Sequence, residues 1–546
     1  MTDLVMSNQA RRIMEQKYLW KDRGETELAD IANRVATNVV NPYAGAYWAS
    51  KVEQYIREGK MLPGGRYLYA AGRPLHQVNN CMLFRIDDSR EGWAELSWKQ
   101  EMALMTGAGT GTVYSDLRAK GTPISKTGGV ASGPVAKMMM INEIGRHVMQ
   151  GGSRRSAIWA GLHWDHPDIF EFMTAKDWPD YIKQAKEQDF NAYAPLDMTN
   201  ISVILDTRFR NAFEDSTDPL HDRAHEVFDF ALDRARTTGE PGFSIDIDEN
   251  EGENLRNACT EIVSRDDSDI CNLGSVNWGA IDTIEEFREV LEALTILLMC
   301  GTIYTDLPFP EVRSVLAANR RIGVGVMGFA EWAAKRGLPY GPSEELTRWA
   351  NEYQRITDMT ADEWATRLGI NRPIAVRAIA PAGTISIVAG TTSGIEPVFA
   401  VGYKRRNIVN GEEWQASYEV DKAAQRLIDQ GVDPDSIPTA LELAENIEPV
   451  LQVMAEFARV VDQSISKTVN LPSVERQTEL GITTESLKAV VGKYIFKLRG
   501  LTFYPDGARG GQPLTPVPYA EAVERGDTVF TEIGNEVACS LDGVCG

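Results

Sequence analysis

A chain of 546 residues with 43% apolar and 25% charged side chains has globular composition, enough for one large α/β domain or two or three smaller ones. Its 78 acidic against 56 basic residues leave a net charge of −22, a surface that repels polymeric nucleic acid but still allows backbone amides to hold a nucleotide. The six cysteines, Cys81, Cys259, Cys271, Cys300, Cys539 and Cys545, and six histidines show no zinc-type spacing, which argues against a disulfide scaffold and against a structural metal.

In chain order, residues 1–62 read as a helical region, with Tyr18, Leu28, Ile31, Val35, Trp48, Val52 and Tyr55 at helical spacing. LPGGRYLYAAGR reads as a turn followed by a short strand or extended piece, and the Gly-rich GAGTGTVYSDLRAKGTPISKTGGVASG as strand and loop before a helix after Pro134. MQGGSRRSAIWAGLHWDHPDIFEFM predicts a loop, a buried strand and a helix begun at Asp165–Pro167. TNISVILD is a strand, and the helix after it ends near Gly239. The run LEALTILLMCGTIYTDL is broken by Glu292, Gly301 and Asp306, so no membrane span is predicted. The N-terminus lacks the apolar core of a signal peptide, and the chain reads as cytoplasmic. RRIGVGVMGFAEWAAKRG is strand, tight turn and helix; IAVRAIAPAGTISIVAG is strand and Gly-rich loop. LTFYPDGARGGQPLTPV closes the ordered part, and NEVACSLDGVCG reads as a mobile tail. Repeated strand–loop–helix units predict an α/β fold with parallel strands.

The chemistry concentrates in RNACTEIVSRDDSDICNLGSVNWG. In an extended segment Asn257, Cys259 and Glu261, at every second position, share one face and bring an amide, a sulfur and a carboxylate together. Taken alone, Cys259 could equally be a small core residue, or the nucleophile of a cysteine hydrolase. The nearest upstream histidines, His221 and His225, sit in a surface helix. Cys539 and Cys545, six apart among small residues near the end, suit thiol–disulfide exchange; Cys300 suits the core. APAGTIS reads as a turn whose amides can face phosphate. Arg154 and Arg155, in a Gly loop, can contact a base or phosphate.

With NNCMLF, NACTEI, DICNLGSVN, APAGTISIVAGTTSGIEP, GGSRRSA before HPDIFEF, ISKTVNLP and GLTFYPDG in this order, the sequence resembles the catalytic chain of ribonucleotide reductase. The resemblance implies a ten-stranded α/β barrel, two parallel five-stranded halves set antiparallel, with residues 254–264 as the central finger loop. It divides the chain into 1–62, a helical region without an ATP-binding cone, 63–520, the catalytic barrel, and 521–546, the redox tail. Cys259 would carry the thiyl radical, Glu261 would serve as general base on the 3′ hydroxyl, and Asn257 would hold the ribose hydroxyls. Cys81 and Cys271 would deliver two electrons and become a disulfide, which Cys539 and Cys545 re-reduce with thioredoxin or glutaredoxin as donor. Asn80, Ala382, Gly383, Thr384, Ile385 and Ser386 would bind substrate, with Ala382 standing where the family has threonine. Gly151, Gly152, Ser153, Arg154 and Arg155, with Asp116 and Arg118, would form the specificity loop and effector site for a dNTP or ATP.

The strand RGLTFYPDG has Phe503 before Tyr504, where the class fed by a separate small subunit shows two adjacent tyrosines. GRYLYAAGRPLHQVNNC and GLTFY resemble the adenosylcobalamin-dependent class instead, which implies that cofactor, a monomer rather than a homodimer, and a triphosphate rather than a diphosphate substrate. The length resembles that of minimal viral enzymes, for which the location would be the host cytoplasm. An inactive nucleotide-binding homologue is the alternative from another class; all five cysteines with an assigned role are present.

Overall fold

The structure, a computed structural model, describes residues 3–125, 128–148, 156–188, 192–409, 413–507 and 514–531. Ten strands are joined in one sheet: β1 (Met61–Pro63), β2 (Cys81–Phe84), β3 (Gly109–Val113), β4 (Ile158–His163), β5 (Thr199–Asp206), β6 (Gly242–Asp246), β7 (Asp269–Asn277), β8 (Ile322–Met327), β9 (Thr468–Leu471) and β10 (Gly500–Pro505). Strands such as β8, IGVGVM, are buried along their whole length, as expected of parallel strands covered on both faces.

β2 to β6 are consecutive parallel neighbours and form one five-stranded half. β7 pairs in parallel with β8, and β9 with β10. Between them, residues 376–379 supply the fifth member of the second half, through parallel single-residue bridges from Val324 to Arg377 and from Ile379 to Ile465. The halves meet antiparallel at β7 with β2 and at β6 with β10, so the ten-stranded barrel expected from the motifs closes. β1 is an added strand, antiparallel to β7.

Helices α1 (Asn8–Lys17), α2 (Leu28–Val35) and α3 (Asn41–Arg57) precede the barrel. Ser7 caps α1 by accepting from the Ala10 amide, and Ile13 and Met14 bury its inner face. GRYLYA is not the expected short strand or extended piece but a helix, α4 (Gly65–Ala70). The buried Arg34 of α2 explains it: its guanidinium takes up the carbonyls of Leu68 and Ala71, which a strand would have to pair elsewhere.

A second correction concerns the C-terminal side. Order does not stop at Val517, where the strand Leu514–Val517 ends, because a helix Tyr519–Arg525 and a strand Phe530–Thr531 follow. The two strands cover the edges of the hairpin Gly402–Val409 and Glu413–Val420, making a separate four-stranded sheet that satisfies their backbone groups.

Candidate active site

The NACTEI segment is the tip of a short hairpin in which Leu255–Arg256 pairs antiparallel with Val263–Ser264. The expected extended run with three side chains on one face does not form. The Thr260 amide bonds back to the Asn257 carbonyl at 2.9 Å, and Thr260 itself takes the left-handed φ of 69°, so the alternation breaks at the tip. Cys259 and Glu261 lie on a cavity wall, whereas Asn257 turns inward. Its Nδ2 donates to the Cys81 sulfur at 3.2 Å and its Oδ1 accepts from the Ile262 amide at 3.0 Å.

The finger is held from both halves of the barrel. Asn200 on β5 donates to the Ala258 carbonyl at 3.0 Å, and the Ser464 amide donates to the Glu261 carbonyl at 2.9 Å. Its base runs so close to β3 that a Cβ on Gly111 would lie 1.7 Å from the Arg256 carbonyl oxygen. At Gly109 an added Cβ would meet the Cys81 sulfur at 3.3 Å and the Ala258 Cβ at 3.4 Å. The glycines at alternate positions of GAGTGT therefore make room for the finger; that spacing was the signal available in the sequence.

Cys81 on β2 and Cys271 on β7 are directly opposed in the antiparallel register. Opposed residues of such a pair have Cα atoms about 4.5–5.5 Å apart, within the range a disulfide spans. Cys81 borders the cavity; Cys271 is fully buried behind it, its sulfur donating to the Asn272 carbonyl at 3.3 Å. Burial pushes the Cys271 thiol well above its ordinary value, against the pull of the Arg321 guanidinium. Arg321 is paired at 2.9 Å with Asp269, two residues before Cys271, and both are buried. Sequence reasoning missed this pair, which has no motif spacing. Cys300 lies in the core, where burial pushes its thiol up to about 12.

The cavity, of about 390 Å³, is closed on another side by Ala382, Gly383, Thr384 and Ile385. These open the helix Gly383–Ala389, and Ala382 holds the left-handed φ of 53° as its N-cap. Amides of a first helical turn have no acceptor within the helix, so they are available to an anion. Ser386 points away: its Oγ donates to the Gly383 carbonyl at 3.1 Å and it lines a neighbouring cavity of about 650 Å³. Asn80 lies on the wall of the smaller cavity, and its Oδ1 has no hydrogen-bond partner among the described residues.

Of the remaining expected residues, the two that are described, Asp116 and Arg118, are not brought here. Asp116 and Arg118 follow the far end of β3 from Gly109; both are exposed, and the Arg118 guanidinium pairs with Asp88 at 2.5 Å. Gly151, Gly152, Ser153, Arg154, Arg155, Cys539 and Cys545 lie outside the described residues. Among the described residues no group of three or more His, Cys, Asp or Glu could hold a metal ion, and no helix is long and apolar enough to cross a membrane.

The two cavities share Gly383 and are of ligand size, and no histidine lines either. Gln9, Arg12, Thr391 and Gln425 on the wall of the larger cavity would hold the polar groups of a bound cofactor.

A family model described as "Ribonucleotide reductase, barrel domain" matches residues 79–217, 223–372 and 371–491. The chain is 29% identical to a vitamin B12-dependent ribonucleoside-diphosphate reductase of Mycobacterium tuberculosis (strain CDC 1551 / Oshkosh), across 97% of this chain and 83% of that one. It is 27% identical to the protein of the same description from Thermoplasma acidophilum, across 86% of this chain and 67% of the relative. In fold it is similar to the alpha subunit of the class Id ribonucleotide reductase of Actinobacillus ureae, with a TM-score of 0.74 and 17% identity, covering 93% of this chain and 99% of that one. With its barrel model matched along most of the chain, and a finger loop set beside a pair of opposed cysteines inside a ten-stranded barrel, the protein belongs to the ribonucleotide reductase family.

Proposed function

We propose that the chain is an adenosylcobalamin-dependent ribonucleotide reductase, which converts ribonucleotides to 2′-deoxyribonucleotides for DNA synthesis. The observation that carries the reading is the arrangement of three thiols: Cys259 on the finger and Cys81 share one cavity wall, and Cys271 is buried directly opposite Cys81 in the strand pair. Adenosylcobalamin, when bound, supplies the radical that removes the Cys259 hydrogen atom. Gln9, Arg12, Thr391 and Gln425, on the wall of the larger cavity, would hold its polar groups. Phe503, buried on β10, supports this radical source over a tyrosine relay from a second subunit, since it has no hydroxyl to oxidise.

The Cys259 sulfur takes the 3′ hydrogen of the ribose, and Glu261 accepts the proton of the 3′ hydroxyl. The 2′ hydroxyl leaves as water with a proton from the dithiol of Cys81 and Cys271. That dithiol gives up two electrons and two protons in all and closes as a disulfide, and the 3′ hydrogen returns from Cys259. The sum is ribonucleotide plus dithiol to deoxyribonucleotide plus disulfide plus water. Asn257, turned inward, orients Cys81, Asn80 receives a donor from the substrate, and the amides of Gly383, Thr384 and Ile385 hold phosphate, with Ala382 and Ser386 shaping that turn. Cys539 and Cys545 reset the disulfide with electrons from thioredoxin or glutaredoxin. The loop of Gly151 to Arg155, with Asp116 and Arg118, reads a dNTP or ATP effector. The reading includes a catalytic unit of residues 63–520 acting as a monomer in the cytoplasm.

The test is an anaerobic assay of the purified chain with ribonucleotide and a small dithiol, with and without adenosylcobalamin. Deoxynucleotide only in the tube with adenosylcobalamin, and none from Cys259→Ala despite retained nucleotide binding, is the expected result. Nucleotide binding without product in either tube would replace this reading with a chain that needs a radical-generating partner.

A further inference from the structure

The first 78 residues precede the segment matched by the family barrel, yet they supply part of the wall of the Cys259 cavity. Among the described residues on that wall, the side chains formally charged at neutral pH are Glu261, Lys17 and Arg66. In a chain of net charge −22, the cavity therefore carries an excess of positive charge, and both cations come from the N-terminal helices.

Their placement is fixed by packing. α1 lies against the helix Gly383–Ala389. Ser7 and Arg12, toward the start of α1, share the larger cavity with Gly390 at the end of that helix, while Lys17 shares the smaller cavity with Gly383 and Thr384 at its beginning. The two helices thus run antiparallel, and Lys17 stands at the end where the helix presents its unbonded amides. Arg66 reaches the same wall through the LPGGR turn. The Gly64 amide donates to the Leu273 carbonyl at 2.7 Å, and a Cβ on Gly65 would come within 2.8 Å of the Tyr18 hydroxyl. The end of α1 and the start of α4 can touch only because Gly65 has no side chain. Arg34 locks the arrangement: buried, it donates to the Tyr18 carbonyl at 3.3 Å, to Leu68 at 3.0 Å and to Ala71 at 2.7 Å.

Resting on the ribonucleotide reading above, we propose that Lys17 and Arg66 are the specificity residues for the outer phosphates of the substrate. The amides of the Gly383 turn take the phosphate nearest the ribose, and the two cations meet the next ones, so the N-terminal helices set how strongly a polyphosphate is preferred over a monophosphate. Arg34 acts through them as a positioning residue.

The experiment is equilibrium binding of the mono-, di- and triphosphate of one ribonucleoside to the full chain at fixed ionic strength, for wild type, Lys17→Met, Arg66→Met and Arg66→Lys. Lys17 is exposed, so its variant tests the idea even where an Arg66 variant loses stability. Wild type is expected to bind more tightly from mono- to di- or triphosphate. Lys17→Met and Arg66→Met are each expected to weaken the polyphosphates about tenfold and the monophosphate less than about threefold, the range of one charge-assisted contact. Arg66→Lys is expected to recover part of the loss. An equal loss for all three nucleotides, or none, overturns the assignment while leaving the ribonucleotide reading intact. Failure of wild type to bind any of the three overturns both.

Discussion

Gly111→Ala is a one-methyl test of how the finger is held. The added Cβ would stand 1.7 Å from the Arg256 carbonyl oxygen, where even 3.0 Å is an approach that real Cβ atoms essentially never show. The obstacle is backbone on both sides, with the Arg256 carbonyl carbon 2.9 Å and the Asn257 Cα 3.4 Å from the same point. The finger or β3 must therefore shift by at least about 1.3 Å, because no side chain can swing away. Cys259 lies three residues beyond Arg256, past a turn fixed by the bond from the Thr260 amide to Asn257, so the shift carries to the sulfur. Misplacing a reacting group by ~1 Å costs on the order of a hundredfold in rate. Overpacking of this kind costs ~1–3 kcal/mol of stability, which lowers Tm by a few degrees in a chain of this size without unfolding it. The assay compares deoxynucleotide formation and nucleotide binding of Gly111→Ala and Gly109→Ala with wild type. Gly111→Ala should lose about a hundredfold in turnover with binding retained, and Gly109→Ala, whose contacts start at 3.3 Å, should lose much less. Turnover of Gly111→Ala within about threefold of wild type would refute the rigid placement of the finger.

Ala382 holds a φ of 53°, so Ala382→Gly should stabilise the chain by ~0.5–1 kcal/mol in chemical denaturation, and Ala382→Thr should destabilise it. Arg321→Met leaves Asp269 buried without its cation and should cost ~3 kcal/mol or more, read as a fall in Tm. Burial raises the folded pKa of Cys300 from 9.0 to about 12, so the folded state keeps that proton more tightly than the unfolded chain. The sign follows: its contribution is whole below about pH 9 and is lost as pH climbs toward 12, so Cys300→Ala should lose stability less steeply than wild type over that interval. Parallel stability curves for the two proteins would contradict the buried, protonated thiol.

The cysteines were legible because thiols are scarce in this chain: Cys81 and Cys259 line one cavity, Cys271 is buried opposite Cys81, and Cys300 lies in the core. Strand β5 and the turn at Gly328 were legible from local pattern, since their residues answer to nearest neighbours. What was not legible depends on partners far along the chain. α4 is helical where a short extended piece was expected, and Arg34, some thirty residues earlier, donates to the carbonyls of Leu68 and Ala71 at its end. The finger tip curls because of one left-handed residue, Thr260, a type that gives no warning of it. The edge strand after Val517, Phe530–Thr531, could not be foreseen, since its pairing partner is a hairpin about a hundred residues upstream.

The fifth member of the second half-barrel, residues 376–379, has a consequence for motion. Every other neighbouring pair in the barrel is a ladder of two to six registered residues, but this seam is stitched by two single bridges and the few amide bonds around them, among them Val324 to Val376 at 2.8 Å and Ser466 to Ile379 at 2.8 Å. It runs directly into Ala382 and the turn that faces the cavity. The staves of the barrel are therefore thinnest beside the phosphate turn. Amide hydrogen exchange should be fastest there within the barrel, and a nucleotide seated on the turn should slow it by tightening the seam from outside.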